Sequence, residues 1–174
     1  MGTVLTEHLV VDGILPRYAD ALADDAPVYR NHVLRCLNYQ TLLLGHPVSE
    51  QAALAWTVHD LGIWTAGTFD YLGPSAALLD ELAAEVGIDD PAHAKTLVLQ
   101  HHSLRPVPDR EAETFRRADL VDVSRGVLRA GLPRPAVRAV TEALPYRGFH
   151  RWLTRGLLHH ALRHPLHPAP MLRW

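Results

Sequence analysis

Four positions along this chain carry side chains that commonly bind metal ions in proteins. His59 and Asp60 are adjacent, His32 lies upstream of them, and Asp119 lies downstream. Two imidazoles and two carboxylates form a mixed donor set, which suits Mn, Fe, Co, Ni or Zn, with Mg less suited because it prefers oxygen. A divalent ion lowers the pKa of a bound water towards neutrality, so that the water can attack a substrate. The residues therefore predict one divalent metal ion that activates water.

Two of these residues also have a structural explanation. His32 alone could be a packed or surface histidine, and Asp119 could pair with Arg116 or Arg117, which precede it. An aspartate in the middle of an apolar helix is unfavourable unless it is exposed or paired. Metal ligation is favoured because the four residues, two histidines and two aspartates, occur together on successive predicted helices.

A histidine pair, His101 and His102, ends another predicted helix. One of the two is expected to face the interior, where it could orient a substrate, move a proton or bind a second ion. A histidine at a helix C-terminus is also favoured by the helix dipole alone. The residues alone leave both explanations open for this pair.

The elements that must position these groups are all predicted to be helices. Glycines and prolines stand mainly where helices would start or stop, and no strand-like alternation occurs. Predicted helices after a weakly defined N-terminal region cover 27–44, 50–61, 74–86, 91–102, 110–128, 135–144 and 149–163. Ser49 and Asp109 are predicted to cap the second and the fifth of these, and Gly45 and Gly62 to stop the first and the second. The segment 63–73 is predicted to be a loop and the tail 164–174 irregular. The predicted fold class is all-α, as a single compact helical bundle over residues 1–174.

The composition is that of an ordinary globular domain. The 174 residues are 48% hydrophobic and 21% charged. That length and balance are enough for one domain with a buried core. The net charge of −2 gives no reason to expect nucleic acid or a membrane as a partner. The single cysteine, Cys36, excludes an internal disulfide and fits a reducing compartment. With no secretion-type N-terminus or membrane-spanning run, the predicted location is cytoplasmic, and a homo-oligomer is an open alternative.

The order His32…His59-Asp60…Asp119 resembles the HD-domain superfamily of metal-dependent hydrolases. The segment 97–102 (LVLQHH) resembles the later family helix that ends in a His-His pair. The segment 117–119 (RAD) resembles the Ala-Asp closing motif. The likeness spans roughly residues 28–125. It implies an HD-type helical bundle with four metal ligands: His32, His59, Asp60 and Asp119. In this context the catalytic residues predicted are Asp60, His101 and His102, with His101 placed ahead of His102.

This resemblance implies a metal-dependent hydrolase acting on a small-molecule substrate, with a phosphate ester or nucleotide as the commonest family choice. Ile63 and Trp64 stand where many family phosphohydrolases carry Lys or Glu. The next histidine of dinuclear members is absent from the segment 68–75 (TFDYLGPS), which disfavours a two-metal site. The segment 59–63, followed by Phe69-Asp70, is similar to the cyanamide hydratase-like branch. The alternatives are such a lyase adding water to a small nitrile, a non-catalytic metal-bound ligand-binding protein, and an HD-type di-iron oxygenase.

The remaining chemistry-bearing groups are predicted to be structural. The aromatic residues near the His-Asp pair are expected to pack rather than line a pocket: Trp56, Trp64, Phe69 and Tyr71. Arg30 and Arg35, beside His32, are interpreted as exposed helix arginines. The C-terminal histidines are interpreted as structural or surface groups: His159, His160, His164 and His167. A loose basic stretch is interpreted as solvated: Arg125, Arg129, Arg134 and Arg138.

Overall fold

The computed structural model describes residues 3–172, and every regular element within them is helical. The α-helices are α1 Leu9–Ile14, α2 Ala19–Leu22, α3 Ala26–Leu44, α4 Glu50–Val58, α5 Gly62–Thr65, α6 Leu72–Leu82, α7 Ala92–Gln100, α8 Arg110–Val123, α9 Arg134–Ala143 and α10 Phe149–Arg163. Short 3-10 turns cover Leu15–Tyr18, Ala23–Asp25 and Ala84–Val86. The all-α prediction is confirmed. None of the helices within 3–172 is both long and apolar enough to cross a membrane.

Helix α3 is the central element of the bundle, and α8 packs along it. Pro27 stands in the first turn of α3, where its missing N–H leaves no helical hydrogen bond unmade. Gly45 ends the helix in the left-handed conformation, with φ of 82°. Such a residue lets the chain close the last helical turn, and the Gly45 N–H donates to the carbonyl of Thr41 at 2.9 Å. The helix is buried on most of its surface, because other helices surround it.

Two helices that flank the site begin at side-chain caps. Ser49 Oγ accepts from the N–H of Ala52 at 3.0 Å at the start of α4. Asp109 Oδ1 accepts from the N–H of Ala112 at 2.8 Å at the start of α8. Both caps were predicted from the residue types. Because α4 ends at Val58, the His-Asp pair lies in the turn that follows it.

Several predicted boundaries are wrong. The helices predicted to end at Leu61 and His102 end at Val58 and Gln100, so the His-Asp pair and the His-His pair both lie in the turns that follow. Gly62 does not stop a helix but begins α5, inside the region predicted to be a loop. Its N–H donates to Ser75 Oγ at 2.9 Å, and a Cβ at Gly62 would lie 2.7 Å from the carbonyl oxygen of Tyr71. Helix α8 ends at Val123 instead of Leu128. The cause is that Arg125 and the following glycine adopt left-handed φ angles of 55° and 74°, which a continuing helix does not allow.

Aromatic side chains fill the space around the site. Trp56 stacks on Phe115 with ring centroids 3.5 Å apart, and its indole N–H donates to Gln40 Oε1 at 2.6 Å. At the edge of the bundle, Trp152 of α10 stacks on Trp64 of α5 at 4.4 Å. These contacts place α10 over the same end of the molecule as the His-Asp turn.

Candidate metal centre

The four predicted ligands converge, although they come from three separate segments. His32 lies on α3, His59 and Asp60 lie in the turn after α4, and Asp119 lies on α8. Nε2 of His32 is 3.0 Å from Nε2 of His59 and 3.7 Å from Oδ1 of Asp119. Oδ2 of Asp60 is 3.4 Å from Nε2 of His59 and 3.6 Å from Nε2 of His32. All four residues are buried.

These distances match those between neighbouring ligands of one ion. With metal–ligand bonds of about 2.1 Å, ligand atoms lie about 3.0 Å apart at a right angle and about 3.4 Å apart at a tetrahedral angle. The donor atoms of His32, His59 and Asp119 all lie within 4.8 Å of one another. The residues present therefore fit a metal ion of ordinary size.

The hydrogen bonds of the imidazoles place a proton on Nδ1 of each ring. Nδ1 of His59 faces the carbonyl of Trp56 at 2.8 Å, and Nδ1 of His32 faces the carboxylate of Asp122 at 2.7 Å. Carbonyl and carboxylate oxygens accept hydrogen bonds, so each Nδ1 must donate. Nε2 of the neutral His59 ring therefore presents a lone pair to the cluster. At His32, burial acts to lower the pKa, but Cys36, Asp122 and Asp60 outweigh it and raise the pKa well above its usual range, so that without an ion Nε2 of His32 donates to Nε2 of His59 at 3.0 Å. A cation bound between the two rings would take the place of that proton.

Three buried polar atoms in this cluster have no hydrogen-bond partner within the described residues: Asp60 Oδ1, Asp119 Oδ1 and His101 Nε2. An unsatisfied buried polar atom costs about 1–3 kcal/mol, and more when the group is charged. They are three of the nine such atoms among the described residues, and a bound cation would satisfy the two carboxylate oxygens.

Burial sets the protonation preferences of two candidate ligands. It lowers the pKa of His59 to about 3, so this imidazole is neutral and its Nε2 is available as a ligand. Burial also raises the pKa of Asp119 to about 6, although the nearby charges of His101 and His32 act in the opposite direction. A cation bound beside Asp119 would stabilise the charged form of its carboxylate.

Asp119 does not form an ion pair with Arg116 or Arg117. Arg116 donates to both carboxylate oxygens of Glu113 at 2.9 Å, and Arg117 donates to the same residue at 2.7 Å. With both arginines engaged on the outer side of α8, the Asp119 side chain points inward.

Asp122 lies behind the candidate ligands and supports His32. Arg35 donates to its carboxylate through Nε at 2.6 Å and Nη2 at 2.8 Å, a charge-assisted pair of bonds. Burial by itself would raise the pKa of Asp122, but the hydrogen bonds from Arg35 and His32 outweigh it and lower the pKa. The expectation that Arg35 is an exposed helix arginine is wrong, since its side chain is fully buried. Arg30, by contrast, pairs with Asp12 at a partly exposed position.

Cys36 lies beside the same histidine but has different chemistry. Its Sγ is 3.6 Å from Nδ1 of His32, the nitrogen already committed to Asp122. Burial raises the pKa of the Cys36 thiol to about 12. A protonated thiol is a poor metal ligand, so Cys36 contributes packing here.

His101 and His102 occupy different positions at the cluster. Nδ1 of His101 donates to the carbonyl of Val98 at 2.7 Å, and its Nε2 lies 3.4 Å from Oδ1 of Asp60. His102 lies further out, 3.8 Å from Oδ2 of Asp119, with its Nε2 hydrogen-bonded to the Tyr71 hydroxyl at 2.6 Å. Its side chain is 20% exposed, whereas that of His101 is fully buried.

Aromatic side chains pack against the other sides of the cluster. Phe149, the first residue of α10, stacks on His32 with ring centroids 4.2 Å apart. The Tyr29 hydroxyl donates to the carbonyl of Thr57 at 3.1 Å and accepts weakly from the N–H of Asp60 at 3.4 Å. His102 is the most exposed side chain of the cluster, so the approach from solvent is on its side.

Sequence reasoning did not identify Arg35 or Phe149 as parts of this site. The position of Arg35 could have indicated its role, since it lies three residues after His32 and therefore on the same face of α3. Phe149 carried none, because it reaches the cluster from the C-terminal part of the chain. The C-terminal histidines predicted to be surface groups form no candidate metal group with other side chains in the described part of the chain.

Comparisons with protein-family models, with curated proteins and with solved structures found no match for this chain. The likeness to the HD-domain superfamily therefore rests on the residues quoted above.

Proposed function

We propose that this protein is an HD-type metal-dependent hydrolase that acts on a small molecule. His32, His59, Asp60 and Asp119 would hold one divalent ion, of Mn, Fe, Co, Ni or Zn. The observation that carries the proposal is the spacing of their donor atoms, 3.0–3.7 Å, around the Nε2 atoms of the two imidazoles. The bound ion would supply a water molecule that loses its proton near neutral pH.

The chain's own residues supply the remaining functions. Asp122 holds the His32 ring by its Nδ1 proton, which keeps Nε2 directed at the cluster. Nε2 of His101 has no partner among the described residues and faces Asp60 at 3.4 Å, so it can take up or deliver a proton at the reacting atoms. His102, oriented by Tyr71, lies at the open side and can contact the substrate.

A second candidate function is the hydration of a small neutral nitrile, and one observation favours it. Arg35, the arginine that approaches the cluster, is engaged with Asp122 and with the carbonyls of Leu144 and Pro145. Ile63 and Trp64 occupy the positions where a Lys or Glu would assist a phosphate substrate. A neutral substrate needs no cationic partner, so the engagement of Arg35 with Asp122 does not count against it.

The first test measures metal content. Protein stripped with a chelator and dialysed against Co²⁺, Mn²⁺ or Zn²⁺ is expected to retain one ion per chain, measured by elemental analysis. His59→Ala and Asp60→Ala are expected to lose it while keeping their helical circular dichroism. His93→Ala is the matched control, because His93 pairs with Glu111 away from the cluster and its loss leaves the ligands intact.

The second test screens the reconstituted protein against phosphate monoesters, nucleotides and small nitriles. Release of phosphate that requires the ion and fails in Asp60→Ala supports the hydrolase. Amide formation from a nitrile supports the second candidate instead. Stoichiometric ion retained in Asp60→Ala would overturn the ligand set, and a loaded protein inactive on all three panels would overturn the enzymatic function.

A further inference from the structure

The charges of this chain are segregated along its length. Residues 1–124 contain eight basic and eighteen acidic residues, a net charge of −10. Residues 125–174 contain nine arginines and a single acidic residue, Glu142, a net charge of +8. The overall value of −2 conceals this division. A division of this kind is typical of proteins that bind a polyanion.

Helix α10 presents part of this basic region to solvent on one face. Arg151, Arg155, Leu158 and Leu162 are all exposed. At about 100° per residue, these four positions fall within a sector of about 60°. The two leucines are 60% and 75% exposed, and Leu166 beyond the helix end is 88% exposed.

The opposite face of α10 is anchored, which fixes the direction of the exposed one. Phe149 is buried against His32, and Trp152 stacks on Trp64. A Cβ at Gly156 would lie 2.5 Å from the Phe69 ring, so the helix backbone rests directly on that side chain. The arginine and leucine face therefore points away from the bundle.

Strong exposure of large apolar side chains coincides with the basic region. Among the described residues, five such side chains are at least 60% exposed: Leu9, Val127, Leu158, Leu162 and Leu166. Only Leu9 lies outside the basic C-terminal part. A partner recognised by charge alone, such as nucleic acid, would leave these leucines without a function.

A groove lined by arginines lies beside α10 and extends its basic surface. It has a volume of about 570 Å³ and is lined by Arg125, Arg129, Arg134 and Arg138. Arg138 pairs with Glu142, and the other three have no acidic partner within residues 3–172. Tyr146 of this groove packs against His150 of α10 at 4.5 Å between ring centroids, so the groove adjoins the helix.

We propose that the outer face of α10 binds the surface of an anionic lipid bilayer. Arginines attract the negative headgroups, and exposed leucines on the same helical face enter the boundary between headgroups and acyl chains. The helix would lie in the plane of the interface and would not span the bilayer. This inference is independent of the proposed hydrolase function.

The experiment is vesicle flotation with the full chain. Vesicles of phosphatidylcholine mixed with phosphatidylglycerol are expected to carry the protein to the top of the gradient, and vesicles of phosphatidylcholine alone are not. Arg151→Glu/Arg155→Glu is expected to lower the partition coefficient about 30-fold or more, and raised salt is expected to lower it in the wild type. Leu158→Glu/Leu162→Glu is expected to abolish binding.

Leu9→Glu is the matched control, because Leu9 is 93% exposed on α1, outside the basic region. Its partition coefficient is expected to equal that of the wild type. Circular dichroism shows that each variant remains folded. Equal binding to both kinds of vesicle, or equal loss in Leu9→Glu, would overturn the proposal. Binding to duplex DNA in place of vesicles, or a dimer dissociated by the leucine pair variant with no vesicle binding, would also overturn it.

Discussion

The carboxylate of Asp122 accepts the Nδ1 proton of His32 at 2.7 Å, across 90 residues of chain. This contact fixes the orientation of the His32 ring and directs its Nε2 towards Asp60 and Asp119. An oriented histidine of this kind is a stronger and more selective ligand than one that is free to rotate. Asp122 therefore acts on the candidate site through His32 and is a positioning residue.

Asp122→Asn is expected to weaken ion binding about 10- to 100-fold, because the amide still accepts the His32 proton but no longer polarises the ring. Asp119→Asn is expected to abolish binding, since it replaces a ligand. Titration with Co²⁺, followed by visible absorption, measures both dissociation constants. The opposite order of the two effects would assign the ligand role to Asp122.

Arg35→Met is expected to lower the free energy of unfolding by about 3–5 kcal/mol, because it leaves a buried carboxylate without its charged partner. That carboxylate is Asp122, which is as fully buried as Arg35 itself. Arg30→Met on the same helix is the control, because the side chain of its partner Asp12 is 34% exposed. A loss of no more than about 1 kcal/mol is expected there. Urea unfolding at neutral pH compares the two, and equal losses would show that Asp122 is satisfied without Arg35.

His101→Ala is expected to retain one ion per chain, because the four candidate ligands do not include it. Once a substrate is known, turnover is expected to fall about 10²- to 10⁴-fold, and His102→Ala is expected to have a milder effect. Elemental analysis of wild type and variant side by side decides the role. Two ions in the wild type and one in the variant would make His101 a ligand of a second ion and would favour the di-iron oxygenase alternative.

Gly62→Ala is expected to destabilise the fold by about 1–3 kcal/mol, because the added methyl group overpacks its surroundings. Its Cβ would lie 2.7 Å from the Tyr71 carbonyl oxygen and 2.9 Å from Ser75 Oγ. Gly13→Ala in α1 is the matched substitution, since a Cβ there meets nothing within 4 Å. It is expected to stabilise by about 0.5–1 kcal/mol. In thermal unfolding, the midpoint of Gly62→Ala is expected to lie below that of the wild type and the midpoint of Gly13→Ala above it.

The stability contributed by Glu113 is expected to depend on pH. Hydrogen bonds from Arg116, from the N–H of Val107 and from Arg117 lower the pKa of Glu113 from 4.5 to about 2, against the effect of burial. A carboxyl with a lowered folded-state pKa stabilises fully above pH 4.5, and this stabilisation is lost as the pH falls towards 2.

Glu113→Gln is therefore expected to be less stable than the wild type at about pH 6, with a difference that shrinks steadily as the pH falls below 4.5. Glu142→Gln is the control, because its pair with Arg138 is largely exposed. Urea unfolding across this pH range measures both differences. A difference for Glu113→Gln that stays constant with pH would show that its effect is steric.

The parts of the fold that sequence reasoning predicted are those with local signals. Ser49 and Asp109 cap helices by accepting from the chain three residues later, and Gly45 ends α3 because it adopts a positive φ angle at little cost. The true end of α8 was missed because Arg125 takes a left-handed conformation, which residue type rarely indicates for arginine.

The candidate site was predictable only in part for a similar reason. Its histidines and aspartates could be chosen by chemistry and by their order, so the residues that converge were named in advance. The burial of Arg35 depends on the packing of helices around α3, and the contact of Phe149 depends on the path of the C-terminal part of the chain. Both are tertiary properties that no local pattern contains.

The separation of His32, Asp60 and Asp119 onto three segments has a consequence for how folding can be observed. A loosened state that kept its helices but lost their fixed packing would give nearly unchanged far-ultraviolet circular dichroism. The same loosening would move the donor atoms apart and release an ion held between them. The colour of bound Co²⁺ would then report the moment at which the helices reach their final arrangement, which helical content cannot reveal.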